Sequence, residues 1–266
     1  MQSAAFGQSA YQQGYNETFG DASNAMPGAV ATLGVNERVQ FLRKTYLHLF
    51  GAITAFAALE FLFLWQKSPL FDAITVPILK TVFGGSRFVW LAFLGAFVAV
   101  GWFAERWAQS DTSVSKQYMG LGIYVLAEAI IFIPLLAIAQ YASAKAGSSI
   151  NIIAVSGIIT MALFAGLTAT VFISKKDFSF MRGALSMGAM AAMGIIAASI
   201  FIGFDLGLLF SAAMLILAGG YVLYYTSKVL HYYRPGQHVA ASLALFSAVA
   251  LMFWYVIRIV MELSGR

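Results

Sequence analysis

From residue 46 onward the chain is a succession of apolar runs of about 20 residues, parted by short polar breaks. There are seven, at about 46–65, 88–107, 117–139, 150–173, 183–204, 206–230 and 239–261. Each suffices to cross a hydrocarbon core of about 30 Å as a helix. None alternates apolar and polar residues with a period of two, which favours helices over a transmembrane barrel. The expected fold is an all-α integral membrane protein with seven transmembrane helices. Residues 66–87 hold one more apolar stretch, LFDAITVPILKTVF, interrupted by Asp72, Pro77 and Lys80. It is too short to span and reads as an interfacial helix.

The first 37 residues differ in kind, dominated by Gln, Ser, Gly, Asn and Ala, with no basic residue. They lack the positive start and apolar core of a secretory signal, and cannot bury enough surface to offset the entropy of ordering. The expected organisation is thus a disordered tail at 1–37 and a seven-helix domain at 38–266. In the tail Phe6, Tyr11, Tyr15 and Phe19 recur every four or five residues. Two readings stand for it: a mobile tail, or a segment that docks on another membrane protein or complex.

Composition agrees with a chain whose main partner is the lipid bilayer. It is 61% hydrophobic and 10% charged, against about 25% charged in soluble domains. The net charge of +5 does not indicate nucleic acid, because the basic residues gather at the ends of apolar runs. One set of alternate connections holds Arg38, Arg43, Lys44, Arg106, Lys116, Lys175, Lys176, Arg182, Lys228 and Arg234. The other holds Lys67, Lys80, Arg87, Lys145, Arg258 and Arg266. Positive-inside asymmetry predicts a cytoplasmic amino terminus and an outer carboxyl terminus. The expected location is a bacterial cytoplasmic (inner) membrane.

Glu128 stands at the middle of the third run, where a charge costs roughly 2.5 to 3.5 kcal/mol and commonly marks an ion or proton path. The alternative is a neutral, hydrogen-bonded packing residue. Tyr124, Val125, Ile131 and Phe132 share its helical face, and no cation does. Glu60 lies near the end of the first run, from which it can reach the interface. Asp205 lies between the fifth and sixth runs and is expected to cap the next helix. Arg258 lies within the last run. In the fifth, Ala184, Gly188 and Ala192 fall four apart, a small-residue spacing that lets helices approach closely. Met187, Met190 and Met193 beside them read as core gap-fillers.

No cysteine is present, His48, His231 and His238 show no ligand spacing, and no metal or other cofactor is expected. The chain has no G-x-S-x-G turn, no phosphate-cradling G-x-x-x-x-G-K and no H-E-x-x-H. An enzyme is therefore not expected.

The stretch ITMALFAGLTATVFISKKDFSFMRGALSMGAMAAMGIIAA, residues 159–198, resembles the signature region of the Bax inhibitor family. Thr160, Phe164, Gly166 and Thr170 carry the likeness, with the turn Lys175, Lys176, Asp177, Phe178, Ser179 and Phe180. Weaker similarity covers TYLHLFGAITA, IYVLAEAIIFIPLLAIA and FWYVIRI. The resemblance implies a seven-helix bundle with a central helix encircled by the others. It also implies one of three activities: a pH-sensitive calcium leak, suppression of cell death or stress in eukaryotes, or modulation of a membrane-bound AAA protease in bacteria. Leak-competent members carry two pore aspartates. Here Tyr225 stands at the first position and Ala248 near the second, and no acid occurs between Asp205 and Glu262. A coupled carboxyl pair titrates in two steps; a tyrosine, with an ordinary pKa near 10, and an alanine cannot replace it.

Three functional readings follow. The first is a non-enzymatic accessory or regulatory subunit of a membrane complex that keeps the fold without the gate. The second is a pH-dependent cation or proton leak rewired around Glu128, with Tyr225 and Arg258 contributing. Transport of a small molecule is the third and weakest, since no internal repeat or paired broken helices are evident. The loss of both pore acids favours the first.

Overall fold

The computed structural model describes residues 28–86, 88–108, 113–145 and 151–265. Eight α-helices follow one another among them: α1 (Val35–Leu64), α2 (Val76–Gly84), α3 (Phe88–Ala108), α4 (Val114–Lys145), α5 (Ile152–Ser174), α6 (Arg182–Ile202), α7 (Leu208–His231) and α8 (His238–Ser264). All but α2 are long and apolar enough to cross a membrane. This is an integral membrane protein with seven spans among the described residues, and apart from six further residues at the end of α4 the boundaries agree closely with the apolar runs except at α1.

The exception has a physical cause. Residues 35–45, VNERVQFLRKT, carry Glu37, Arg38, Arg43 and Lys44, so hydropathy does not register them, yet they extend α1 by eleven residues before Tyr46. Residues just before the boundary expected at 37/38 also pack on the helices. Ala29, Val30 and Ala31 are buried, the Val30 N–H donates to the Tyr233 carbonyl at 2.8 Å, and Arg38 Nε donates to the Leu33 carbonyl. The rest of the expected tail, residues 1–27, lies outside the described residues, as do Arg87 and Arg266.

The short element between α1 and α3 is a five-residue π turn (Phe71–Thr75) leading into α2, with Pro77 in the first turn of α2, where a missing N–H does no harm. The Thr75 hydroxyl pins it by donating to the Phe63 carbonyl at 2.7 Å.

At the centre of the bundle stands α8. Among the spans it has the largest buried share, 56% of its apolar window against 6% for α3, and it packs along α1, α3, α4, α5 and α7. This is the encircled helix that the resemblance implies. Helices α3 and α4 approach closely at Gly120, where a Cβ would come within 2.5 Å of the Ala104 carbonyl oxygen and 2.7 Å of the Ala108 nitrogen.

The small-residue stripe of α6 is partly used. A Cβ on Gly188 would meet Leu217 of α7 at 2.8 Å, and Ala192 packs with Met214 and Tyr255. Ala184 is exposed; the buried residue there is its neighbour Leu185. Met187, Met190 and Met193, expected in a core, instead point outward at 58–64% exposure. They lie on the face of α6 turned away from α7.

Candidate functional site

Helices α1 and α4 run in the same direction, with one span between them, and meet where Phe56 and Phe132 pack edge to face at 5.1 Å. Phe246 and Phe253 of α8 close on Phe56 at 6.0 and 6.3 Å, completing a layer of rings. Four residues past Phe56, one turn or roughly 6 Å of rise, lies Glu60. Four residues before Phe132, one turn the other way, lies Glu128. The two acids thus straddle the ring layer, and they are near enough to interact electrostatically.

Both residues are only 6% exposed. Glu128 has a hydrogen-bond partner in Tyr124, one turn earlier on α4, whose ring packs between Phe97 and Phe246. Glu60 differs: its two carboxyl oxygens are buried and have no hydrogen-bond partner among the described residues. It lines a cavity of about 700 Å³ with Lys67, Leu136, Gln140, Asn151 and Phe253, at the end of the bundle where α1 finishes.

Glu60 is thus on the inward face of α1, and the cavity it lines lies at the end of that helix. The signal lay in its register: Leu49, Ala52, Phe56, Glu60 and Phe63 recur at three- and four-residue spacing and form the buried face of α1.

The remaining expected site residues separate from this centre. Arg258 donates through Nη2 to the Leu206 carbonyl at 2.7 Å, tying α8 to the α6–α7 connection, and is not a partner of Glu128. Asp205 is exposed and caps nothing; the residue preceding α7 is Gly207, without a side-chain cap. Ala248 is 2% exposed in a cluster with Ala218, Val222, Met252 and Val256, and Tyr225 packs against that cluster. Positions 225 and 248 thus share one site, now filled by a ring and a methyl group. Tyr225 also stacks on Tyr221 at 5.7 Å.

The turn after α5 is a hydrogen-bond hub at the opposite end of the bundle from the cavity. Lys175 ends α5 in the left-handed region at φ 52°. Asp177 Oδ1 accepts from the Ser179 N–H at 2.8 Å and the Ser227 hydroxyl at 3.1 Å. Its Oδ2 accepts from the Tyr232 hydroxyl at 2.6 Å and the Ser179 hydroxyl at 3.0 Å. Ser227 in turn accepts from the Phe178 N–H at 2.9 Å. Burial pushes the Asp177 carboxyl up, but these hydrogen bonds outweigh it and hold it below the ordinary carboxylate range, while the bond to Asp177 pushes the Tyr232 phenol up. Lys176 is exposed. Sequence showed the turn; its partners Ser227 and Tyr232 lie about 50 residues away and carried no local signal.

Among the described residues no group of three His, Cys, Asp or Glu side chains is placed to hold a metal ion. His48 and His238 do meet, at 4.9 Å between rings, but the His48 nitrogens are occupied by the Lys44 carbonyl and the Tyr118 hydroxyl.

Comparison with known proteins gives consistent relatives. The family described as Inhibitor of apoptosis-promoting Bax1 matches residues 38–265. The Golgi anti-apoptotic protein of Vaccinia virus (strain Lister) is 24% identical over 243 residues, 90% of this chain and 91% of that protein. An uncharacterized protein of Pseudomonas aeruginosa is 28% identical over 96 residues, 36% of this chain, so that the chain spans 43% of that relative's length. An uncharacterized membrane protein of Vibrio cholerae shows the same identity and coverage. No solved structure matches.

Proposed function

The chain belongs to the Bax inhibitor family, and from that premise we propose that it is a leak pathway for protons or cations, carried by Glu60 and Glu128 in place of an acid pair at positions 225 and 248. The observation that supports this reading is the Glu60 carboxyl, buried without a hydrogen-bond donor, beside a cavity and within electrostatic reach of Glu128. A structural acid in an apolar interior is ordinarily satisfied by donors, and one left without them costs stability. Retaining that cost is characteristic of path-lining groups.

The accessory-subunit reading drew its weight from the missing acids at 225 and 248. A second acid brought to Glu128 by α1 removes that weight. Docking on a larger complex through helix faces or residues 1–37 is the reading that a flux-silent protein would support.

Purified protein in proteoliposomes, with dyes for protons and for metal cations, tests the proposal. Wild type should carry a flux that falls at least about tenfold in both Glu60→Gln and Glu128→Gln. A wild type without flux, or variants with undiminished flux, overturns it.

A further inference from the structure

The cavity at the end of α1 holds more chemistry than a conducting path requires. Its floor is made of buried side chains, Phe56, Glu60 and Leu136, and its rim of exposed ones, Lys67, Gln140 and Asn151. An acid thus lies deep and a base lies at the mouth of one space of about 700 Å³. The two are not partners. Glu60 has no hydrogen-bond partner among the described residues, and Lys67, just past the end of α1, has no ion pair among them. The mouth also stands at headgroup level: Trp65, which follows α1, is 47% exposed and stacks on Phe61 at 5.9 Å, and aromatic rings so placed at a span end mark the membrane–water boundary. We infer that this cavity binds the zwitterionic headgroup of an amine phospholipid, with the ammonium at the floor beside Glu60 and the phosphate at the rim beside Lys67.

The order of the charges selects the class. A simple anion would meet Lys67 with an acid beneath it, and a simple organic cation would have to pass a lysine on its way to Glu60. A molecule that enters with its positive charge leading and its negative charge behind satisfies both. A phosphate with an aminoethyl arm on one side and acyl chains on the other has that order, and its chains stay in the bilayer. The rings of Phe56 and Phe253, which line the same space, favour an ammonium over an uncharged polar group. At the rim Asn151 Oδ1 already accepts from the Ala154 N–H at 3.1 Å, so what Asn151 offers a ligand is an N–H donor, suited to a phosphate oxygen and not to an ammonium. The volume falls within the range of small-molecule sites, about 300 to 1,000 Å³.

Buried charges are ordinarily paired, and the bound ammonium supplies the partner that Glu60 lacks. Binding of this kind needs no flux, and a protein that conducts nothing would still show it.

Binding of lysophosphatidylethanolamine to the purified full chain in detergent, read by native mass spectrometry, tests the site. Wild type should bind it about tenfold more tightly than lysophosphatidylglycerol, which keeps the phosphate and the chain but has no amine. Glu60→Gln, which preserves size, should erase that preference. Lys67→Gln, on an exposed side chain, should weaken both lipids about threefold. Thermal unfolding without lipid establishes that each variant is folded. Free phosphoethanolamine should bind far more weakly than the lipid. Equal affinity of wild type for the two lipids, a preference that survives in folded Glu60→Gln, or undiminished binding in Lys67→Gln overturns the site. Free phosphoethanolamine binding as tightly as the lipid overturns the lipid as its occupant. Lipid selectivity that depends on Glu60 in a protein without flux supports the site and removes the leak reading alone.

Discussion

Replacing Asp177 by Ala removes the acceptor for four hydrogen bonds, and two of them, from Ser227 and Tyr232, join the α5–α6 turn to α7 and the segment after it. The two bonds from Ser179 are local to the turn and do not tie it to α7. A hydrogen bond to a charged group contributes about 1.5 to 3 kcal/mol, and halving two of these because water can replace half-exposed partners leaves about 1.5 to 3 kcal/mol for the tie. Reversible unfolding in detergent should register that loss for Asp177→Ala and a smaller one for Asp177→Asn, which keeps one acceptor oxygen. Hydrogen exchange at the Phe178 N–H should quicken, since Ser227, its acceptor, is no longer held. The acid dependence carries a definite sign. The folded carboxyl lies below its ordinary value, so its contribution is fully present above about pH 4 and is lost as pH falls through the lower folded value. The stability gap between wild type and Asp177→Asn should therefore narrow in acid. A gap that stays constant as pH falls from neutral through and below the ordinary carboxylate range, or an Asp177→Ala protein as stable as wild type, would refute the reasoning.

Two substitutions test packing. Gly120→Ala places a methyl group 2.5 Å from the Ala104 carbonyl oxygen and should destabilise by about 1 to 3 kcal/mol by overpacking, whereas Gly122→Ala, with nothing within 4 Å, should be nearly neutral; thermal unfolding separates them. Ala248→Asp puts an acid on a 2% exposed position and should cost about 2.5 to 3.5 kcal/mol or abolish insertion, read as folded yield. Adding Tyr225→Asp should recover part of that loss if the two positions face one another as their shared cluster implies.

What sequence revealed and concealed follows from what each feature depends on. The spans depend on local hydropathy, so α3 to α8 were legible to within a few residues, save the more polar last turns of α4 after Ala139. The charged first turns of α1 depend on packing beneath residues 28–34 and were not. Glu128 announced itself by depth alone. That Glu60 is buried was not legible from its distance to the end of a run, which says nothing about which face α4 and α8 cover. The family turn was recognisable from Lys175 to Phe178, but its function as a clasp needed Ser227 and Tyr232, which only the fold brings near. Arg258 and Asp205 were misjudged for a common reason: their surroundings are set by the backbone of the α6–α7 connection, which no periodicity describes.

The position of α8 bears on how the molecule comes to be. The helix that the others surround is the seventh of these seven spans to be made, and its partners on α1 lie some 200 residues behind it. Until it enters, six helices can stand in the membrane with lipid tails occupying the axis of the ring, since lipid is as apolar as the side chains it stands in for. Entry of α8 is then an exchange, acyl chains leaving as a helix arrives. The ring layer around Phe56 is incomplete without the seventh span, since Phe246 and Phe253 come from it.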